Sequence, residues 1–287
     1  MSRFLRPQSR DLPFDPEYRF FTSWLLSPVV LFGLRAVIGL YAFIAILYSL
    51  GHDSASGNEL AAQRSFDYFT NLCYWGLAFY FGFSAAHTGS YAFTGRPWLA
   101  SWPRFLQVMH AVFYTTIVVF PFLVTIIFWG VLYDGAATHD SHYYWSNVSF
   151  HGLNSLFGLL EIALPRTSGL PWWHLIPLTV VLGAYLGLAH LVQATQGFWV
   201  YDFLNSTKHK RGIVAAYCVG IFIGMLVVFG VVHLFVKLRR WATENKGLML
   251  GKFAEKDVAR REMTESAKET IELREGAGTR QEGEQLV

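Results

Sequence analysis

Residues 145–164 read WSNVSFHGLNSLFGLLEIAL. The segment has the roughly 20 residues that a helix needs to cross a hydrocarbon core. Yet it carries His151 in its first half and Glu161 near its end. On a helix of 3.6 residues per turn, Asn147, His151, Asn154, Ser155, Gly158 and Glu161 fall within about a third of the circumference. Leu153, Leu156, Phe157 and Leu160 take the opposite side. A polar stripe on a membrane helix faces the bundle interior or a water-filled cavity, so this one predicts a wall of the working site. Ser149 breaks the stripe, although a serine can bond its own backbone.

The rest of the chain agrees with a membrane setting. Of 287 residues, 53% are hydrophobic and 17% aromatic, and only 15% are charged, against about a quarter in soluble domains. The apolar residues come in long blocks, which makes the chain a polytopic membrane protein. A net charge of +3 gives no sign of a nucleic-acid partner. Cys73 and Cys218 both fall inside apolar blocks, so no disulfide framework is expected.

Six blocks reach spanning length: 28–50, 66–87, 105–133, 146–164, 172–192 and 212–236. The predicted fold class is therefore all-α, a six-helix transmembrane bundle over 28–237. An Arg-rich arm (1–27) broken by Pro7, Pro13 and Pro16 precedes it, without a cleavable signal. A charged tail (238–287) comes after it; it could form a solvated helix after Lys252 and reads as disordered from Gly276. Lysine and arginine bias sets orientation. Arg3, Arg6, Arg10, Arg19, Arg96, Arg104, Arg166, Lys237, Arg239, Arg240 and Lys246 lie on one side, and Arg64, Lys208, Lys210 and Arg211 on the other. Both termini should be cytoplasmic, and Asn205-Ser-Thr207 is then a lumenal glycosylation sequon. Gly183-x-x-x-Gly187 and Gly220-x-x-x-Gly224 read as close helix packing.

Parity along the chain points to the chemistry. The second and fourth spans start on the same side, with Thr70 about four residues into one and His151 about five into the other. At ~1.5 Å per residue both lie roughly 6–8 Å below one surface. A hydroxyl and an imidazole at one depth could form a nucleophile–base pair, and a threonine hydroxyl needs such a base. Asn147 and Asn154 share the face of His151 and are candidate oxyanion donors; His190 is a candidate second polar wall. Arg35 and Glu161 both sit toward the cytoplasmic end of their spans and read as a structural ion pair. Asp67 reads as a solvated carboxylate at the lumenal mouth. His87, His110 and His233 approach the cytoplasmic side. Paired histidines on neighbouring helices can hold haem, so a transmembrane electron-transfer cytochrome is the alternative.

Certain stretches are recognisable in order: Ser65-Phe-Asp-Tyr-Phe-Thr70-Asn71, then Phe120-Pro121 with Phe128-Trp129, then Asn147-Val-Ser-Phe-His151, then Gly197-Phe-Trp-Val-Tyr201-Asp-Phe-Leu204. Over about residues 28–237 the chain resembles the androgen-induced protein family of six-span membrane proteins, whose human members hydrolyse fatty acid esters of hydroxy fatty acids. The resemblance implies a threonine nucleophile in the second span, at Thr70, and a supporting histidine in the fourth, at His151. Trp199 and Tyr201 join His190 as candidate substrate contacts. The implied hydrolase uses no metal or organic cofactor, takes a lipid substrate from the bilayer, and resides in the endoplasmic reticulum or another endomembrane. Whether it forms a homo-oligomer stays open. The family is also similar to the rolling-stone membrane proteins, which leaves a non-catalytic scaffold as a further alternative.

Overall fold

The computed structural model describes residues 14–133 and 141–249. Arg3, Arg6 and Arg10 of the arm, and the tail beyond Lys252, lie outside the described residues. The chain is all-helical, and the described residues contain no strand beyond one isolated antiparallel bridge between Ser23 and Pro165. The helices are α1 (Pro28–Ala55), α2 (Glu59–Gln63), α3 (Phe69–Thr94), α4 (Arg104–Ile127), α5 (Ser141–Val148), α6 (Asn154–Ala163), α7 (Leu175–Gln196) and α8 (Arg211–Arg240). Among the described residues three π-helical turns interrupt or extend them: Phe128–Leu132 after α4, Ser149–Leu153 between α5 and α6, and Trp241–Lys246 after α8.

Each of the six expected segments is occupied by helix. Among the described residues, four helices are long and apolar enough to cross a membrane: Pro28–Ala55, Arg104–Leu132, Trp172–Gln196 and Arg211–Lys246. The other two segments are less apolar for a visible reason. α3 carries Asn71, Ser84, His87, Thr88 and Ser90, and the α5–α6 segment carries the polar stripe. Both are the polar-bearing members of the bundle, and α3 is also among the most buried. Tyr74, Leu77, Ala78, Tyr80 and Phe81 of that helix are almost fully enclosed.

α1 starts at Ser27, whose hydroxyl accepts from the Val30 amide at 3.3 Å, with Pro28 at the first helical position. α1 and α3 then pack backbone to backbone. A Cβ at Gly39 would stand 3.2 Å from the Gly82 amide and 3.3 Å from the Phe81 carbonyl carbon. α4 lies against α3, α6 and α8. Pro121 inside α4 cannot donate to the Ile117 carbonyl one turn back. α6 comes in where that ladder is broken: a Cβ at Gly158 would stand 3.2 Å from the Ile117 oxygen, and Ser155 Oγ donates to the Pro121 oxygen at 3.0 Å.

Close approach is thus built at Gly39 and Gly158. The two GxxxG motifs behave otherwise. Gly183, Gly187 and Gly220 have nothing within 4 Å of an added Cβ, and only Gly224 meets a neighbour, Leu123 at 3.3 Å. The expectation of tight packing at those motifs is corrected: α7 is peripheral, with Leu178, Ala189 and Val192 its only buried residues.

One end of the molecule is tied by charge. Arg35 and Glu161, 1% and 2% exposed, form the expected ion pair. Arg35 Nε also donates to Glu161 Oε2 at 3.1 Å, and Nη1 donates to the Phe20 carbonyl at 2.8 Å and to Thr88 Oγ1 at 2.6 Å. Tyr80 donates to Glu161 at 2.8 Å. Such a pair survives burial because its remaining donors and acceptors are also matched. Arg239 donates to the Ile162 carbonyl at 2.7 Å, an oxygen that the end of α6 leaves free, and to the carbonyls of Pro165 and Thr167 in the segment after that helix. Arg19 reaches Glu244 at 2.6 and 2.8 Å, so the segment before α1 meets the end of α8. The Arg19 guanidinium, donating at 2.7 Å, also holds the Glu17 carboxyl below its usual range.

Candidate functional site

The segment that carries His151 is not a continuous α-helix. The π-helical turn Ser149–Leu153 inserts one extra residue between α5 and α6, which rotates α5 relative to α6 about their shared axis. Beyond the turn the stripe faces inward as the helical wheel requires. Asn154, Gly158 and Glu161 are buried, while Leu156 and Leu159 are exposed. Within the turn, Ser149 points inward too and is fully buried. Its hydroxyl lies 3.1 Å from Tyr41 Oη and 3.0 Å from Tyr74 Oη. The residue that broke the pattern belongs to the interior after all, and Phe157, expected on the outer side, is buried as well. A wheel drawn at one constant period cannot show either.

A second π-helical turn faces the first. Phe128, in Phe128–Leu132, stacks flat on the His151 ring with centroids 3.5 Å apart and planes 3° apart. The His151 carbonyl accepts from Thr125 Oγ1 at 2.7 Å and from Trp129 Nε1 at 3.1 Å. The backbone of His151 is therefore fixed from α4, and its ring is held by an aromatic plate. Its Nδ1 is buried without a hydrogen-bond partner. Asn154 Oδ1 accepts from Thr125 Oγ1 at 3.1 Å and from the Ser155 amide at 2.6 Å. Asn147 Nδ2 is buried and unpartnered, a donor with no acceptor assigned to it.

Thr70 stands in the first turn of α3, half-buried, in the wall of a cavity of about 240 Å3. The other walls are mostly apolar, from Leu123, Ile127, Leu182, Tyr185 and Tyr201 among others. Tyr201 reaches it because of Gly197. That glycine ends α7 with φ of 75°, in the left-handed region, while its amide bonds the Gln193 carbonyl at 3.0 Å. The chain then reverses and brings Tyr201 back over α3. Burial pushes the Tyr201 phenol up, and hydrogen bonds to Tyr185 and Thr70 pull it partly back. This gives physical content to the Gly197-Phe-Trp-Val-Tyr201 segment: a turn that delivers a phenol to the threonine.

The structure thus brings Thr70 and Tyr201 to one cavity, and His151, Asn154 and Thr125 to another cluster. Among the described residues no hydrogen bond joins Thr70 to His151. His190 is exposed on α7, its Nδ1 2.8 Å from the Leu186 carbonyl and its ring edge-on to Trp199 at 5.3 Å. Those two pack on each other rather than on His151. Asp67 differs from expectation: it is 9% exposed, not solvated, and its Oδ2 is buried without a partner. Its backbone carbonyl accepts from Tyr185 at 3.0 Å. The 3-10 turn Arg64–Asp67 folds this carboxylate inward ahead of α3, which a reading by depth alone could not detect.

Of the three histidines expected to approach the cytoplasmic side, His87 and His110 meet edge to face at 5.2 Å. They are enclosed by Phe21, Trp98 and Trp102. His233 is elsewhere, its Nδ1 2.8 Å from the Leu170 carbonyl.

Comparison with protein-family models, with curated proteins and with solved structures gives no match to this chain.

Proposed function

We propose that this protein is an intramembrane hydrolase of lipid esters, such as fatty acid esters of hydroxy fatty acids, with Thr70 as nucleophile and His151 as its base. The observation that carries the reading is the position of the Thr70 hydroxyl: in the wall of an apolar cavity, beside the Tyr201 phenol. A cavity of this kind accepts a segment of acyl chain and leaves one polar corner for the ester. Thr70 attacks the carbonyl carbon, and the hydroxyl proton passes to His151. The tetrahedral oxyanion is met by a donor, for which Tyr201 and the unpartnered Asn147 amide are the candidates. Collapse releases the alcohol, which takes the proton from the imidazole and leaves an acyl-Thr70. Water, deprotonated by the same imidazole, then releases the acid. Supporting the role of His151 are its uncommitted Nδ1 and its place in a π-helical turn, a distortion frequent at functional sites. Catalytic hydrogen bonds often tighten only in the loaded enzyme, so the nucleophile–base contact belongs to the substrate complex.

The proposed setting is six spans with both termini cytoplasmic, in an endomembrane. The Arg19–Glu244 pair, which puts the segment before α1 beside the end of α8, supports termini on one side. The direct edge-to-face packing of His87 on His110 leaves no room for a macrocycle between them, which favours the hydrolase over a haem protein.

The test is labelling of purified protein by a fluorophosphonate probe, alongside hydrolysis of a branched fatty acid ester. Wild type should label, and Thr70→Ala should lose label and lower turnover at least about a thousand-fold. Full activity in a folded Thr70→Ala would overturn the assignment.

A further inference from the structure

A second group of chemistry-bearing side chains lies apart from Thr70. His52 and Asp53 stand in the last turn of α1, and His142 is the second residue of α5. Each offers one ligand atom, and the three atoms lie within 4.8 Å of one another. Asp53 Oδ1 is 4.0 Å from His142 Nε2. The two imidazoles are stacked, centroids 3.7 Å apart and planes 19° apart. Tyr48 packs on both rings, at 6.0 and 5.6 Å. The Nδ1 of His52 is buried without a hydrogen-bond partner.

Two imidazoles and one carboxylate are a donor set for borderline divalent transition metals; calcium and magnesium require shells of oxygen. Zinc holds such donors at about 2.0–2.2 Å, which in a tetrahedron puts them roughly 3.4 Å apart. Binding a metal would draw the three atoms from their present spacing of up to 4.8 Å to that value. The stacked rings bring the two imidazoles together where the end of α1 meets the start of α5, and the Asp53 carboxylate supplies the negative charge that a dication needs.

We propose that His52, Asp53 and His142 form a binding site for a divalent transition metal, zinc foremost, that ties the end of α1 to the start of α5. Three protein ligands leave a coordination position open. Asp53 also lines a separate cavity of about 350 Å3, with Asn58, Arg64, Ser65 and Asn71 around it. An anion or water on the metal would enter from there. None of the three ligands lines the Thr70 cavity, so the site stands whether or not the ester chemistry does.

The experiment uses untagged, full-length protein in detergent, stripped with a chelator and then titrated with Zn2+, with bound metal measured per chain. Wild type should take up one Zn2+. Asp53→Asn and His142→Ala should each weaken binding at least about ten-fold. His209→Ala, which removes the surface pair with Asp202, should bind as wild type does. Zn2+ should raise the melting temperature of wild type and not that of His142→Ala. Co2+ in wild type should give the intense visible bands of a low-symmetry site with nitrogen ligands. That spectrum needs no variant and decides the matter if His142→Ala fails to fold. Monodisperse wild type that binds neither ion, or site variants that bind like wild type, or binding lost in His209→Ala, would each overturn the proposal.

Discussion

At the scale of single residues, the neighbours of Thr70 set what its hydroxyl can do. Tyr201 is its phenolic neighbour in a cavity that is otherwise nearly all carbon. Tyr201→Phe should keep the cavity shape while removing one donor, and should slow turnover about 100–1000-fold if that donor serves the oxyanion. Steady-state kinetics checks this: kcat should carry the loss, with KM little changed. His151→Ala should lower kcat/KM by about 100–10,000-fold, with partial recovery on adding imidazole; no recovery, and unchanged fluorophosphonate labelling, would make the histidine a packing residue. Much at this scale was legible in the sequence. The Arg35–Glu161 pair follows from two charges at one depth in apolar helices, because neither can face lipid alone. Asp67 and Ser149 were not legible, since a 3-10 turn and a π-helical turn decide where they point. Neither distortion has a signature in residue type.

At the scale of elements, two contacts decide how the helices lie. The first is the Arg35–Glu161 bridge between α1 and α6. Breaking one half leaves the other charge buried, so Arg35→Met or Glu161→Leu should each destabilise the protein by about 3–5 kcal/mol. The double substitution should recover much of that loss. Thermal unfolding in detergent, run on both singles and the double, measures the coupling. The second is the turn at Gly197. Alanine there must adopt a left-handed backbone conformation, so Gly197→Ala should cost about 1–2 kcal/mol. It should also weaken activity more than stability, since Tyr201 depends on the turn. The approximate helix positions were legible because apolar blocks of spanning length are local signals. Which small residues bring helices together was not. Gly39 and Gly158 act singly, one against a glycine on the facing helix and one against a carbonyl freed by Pro121. The two regular GxxxG motifs lie on faces that the chain itself leaves largely uncovered.

At the scale of the whole molecule, the proposed six-span arrangement fixes which loops share a side of the membrane. Cysteines placed at the exposed positions Ser56, Ser101 and Ser206, in a chain lacking Cys73 and Cys218, distinguish the cases. With six spans, a membrane-impermeant maleimide added from the cytoplasmic side should label Ser101→Cys and spare Ser56→Cys and Ser206→Cys. Labelling of Ser56→Cys and Ser101→Cys together would mean that α3 does not cross. The Arg35–Glu161 bridge has one more consequence, for how the protein is made. The two partners are 126 residues apart in the chain. At about 5–20 residues per second of synthesis, Arg35 waits roughly 6–25 s for Glu161 to emerge. Through that interval the first helix holds an unmatched cation near one end, where the cost stays below the about 2.5–3.5 kcal/mol of a charge at the helix centre because the side chain can reach the interface. The nascent first helix is therefore seated with Arg35 turned toward the interface, and its final depth in the membrane has to await the second half of the chain.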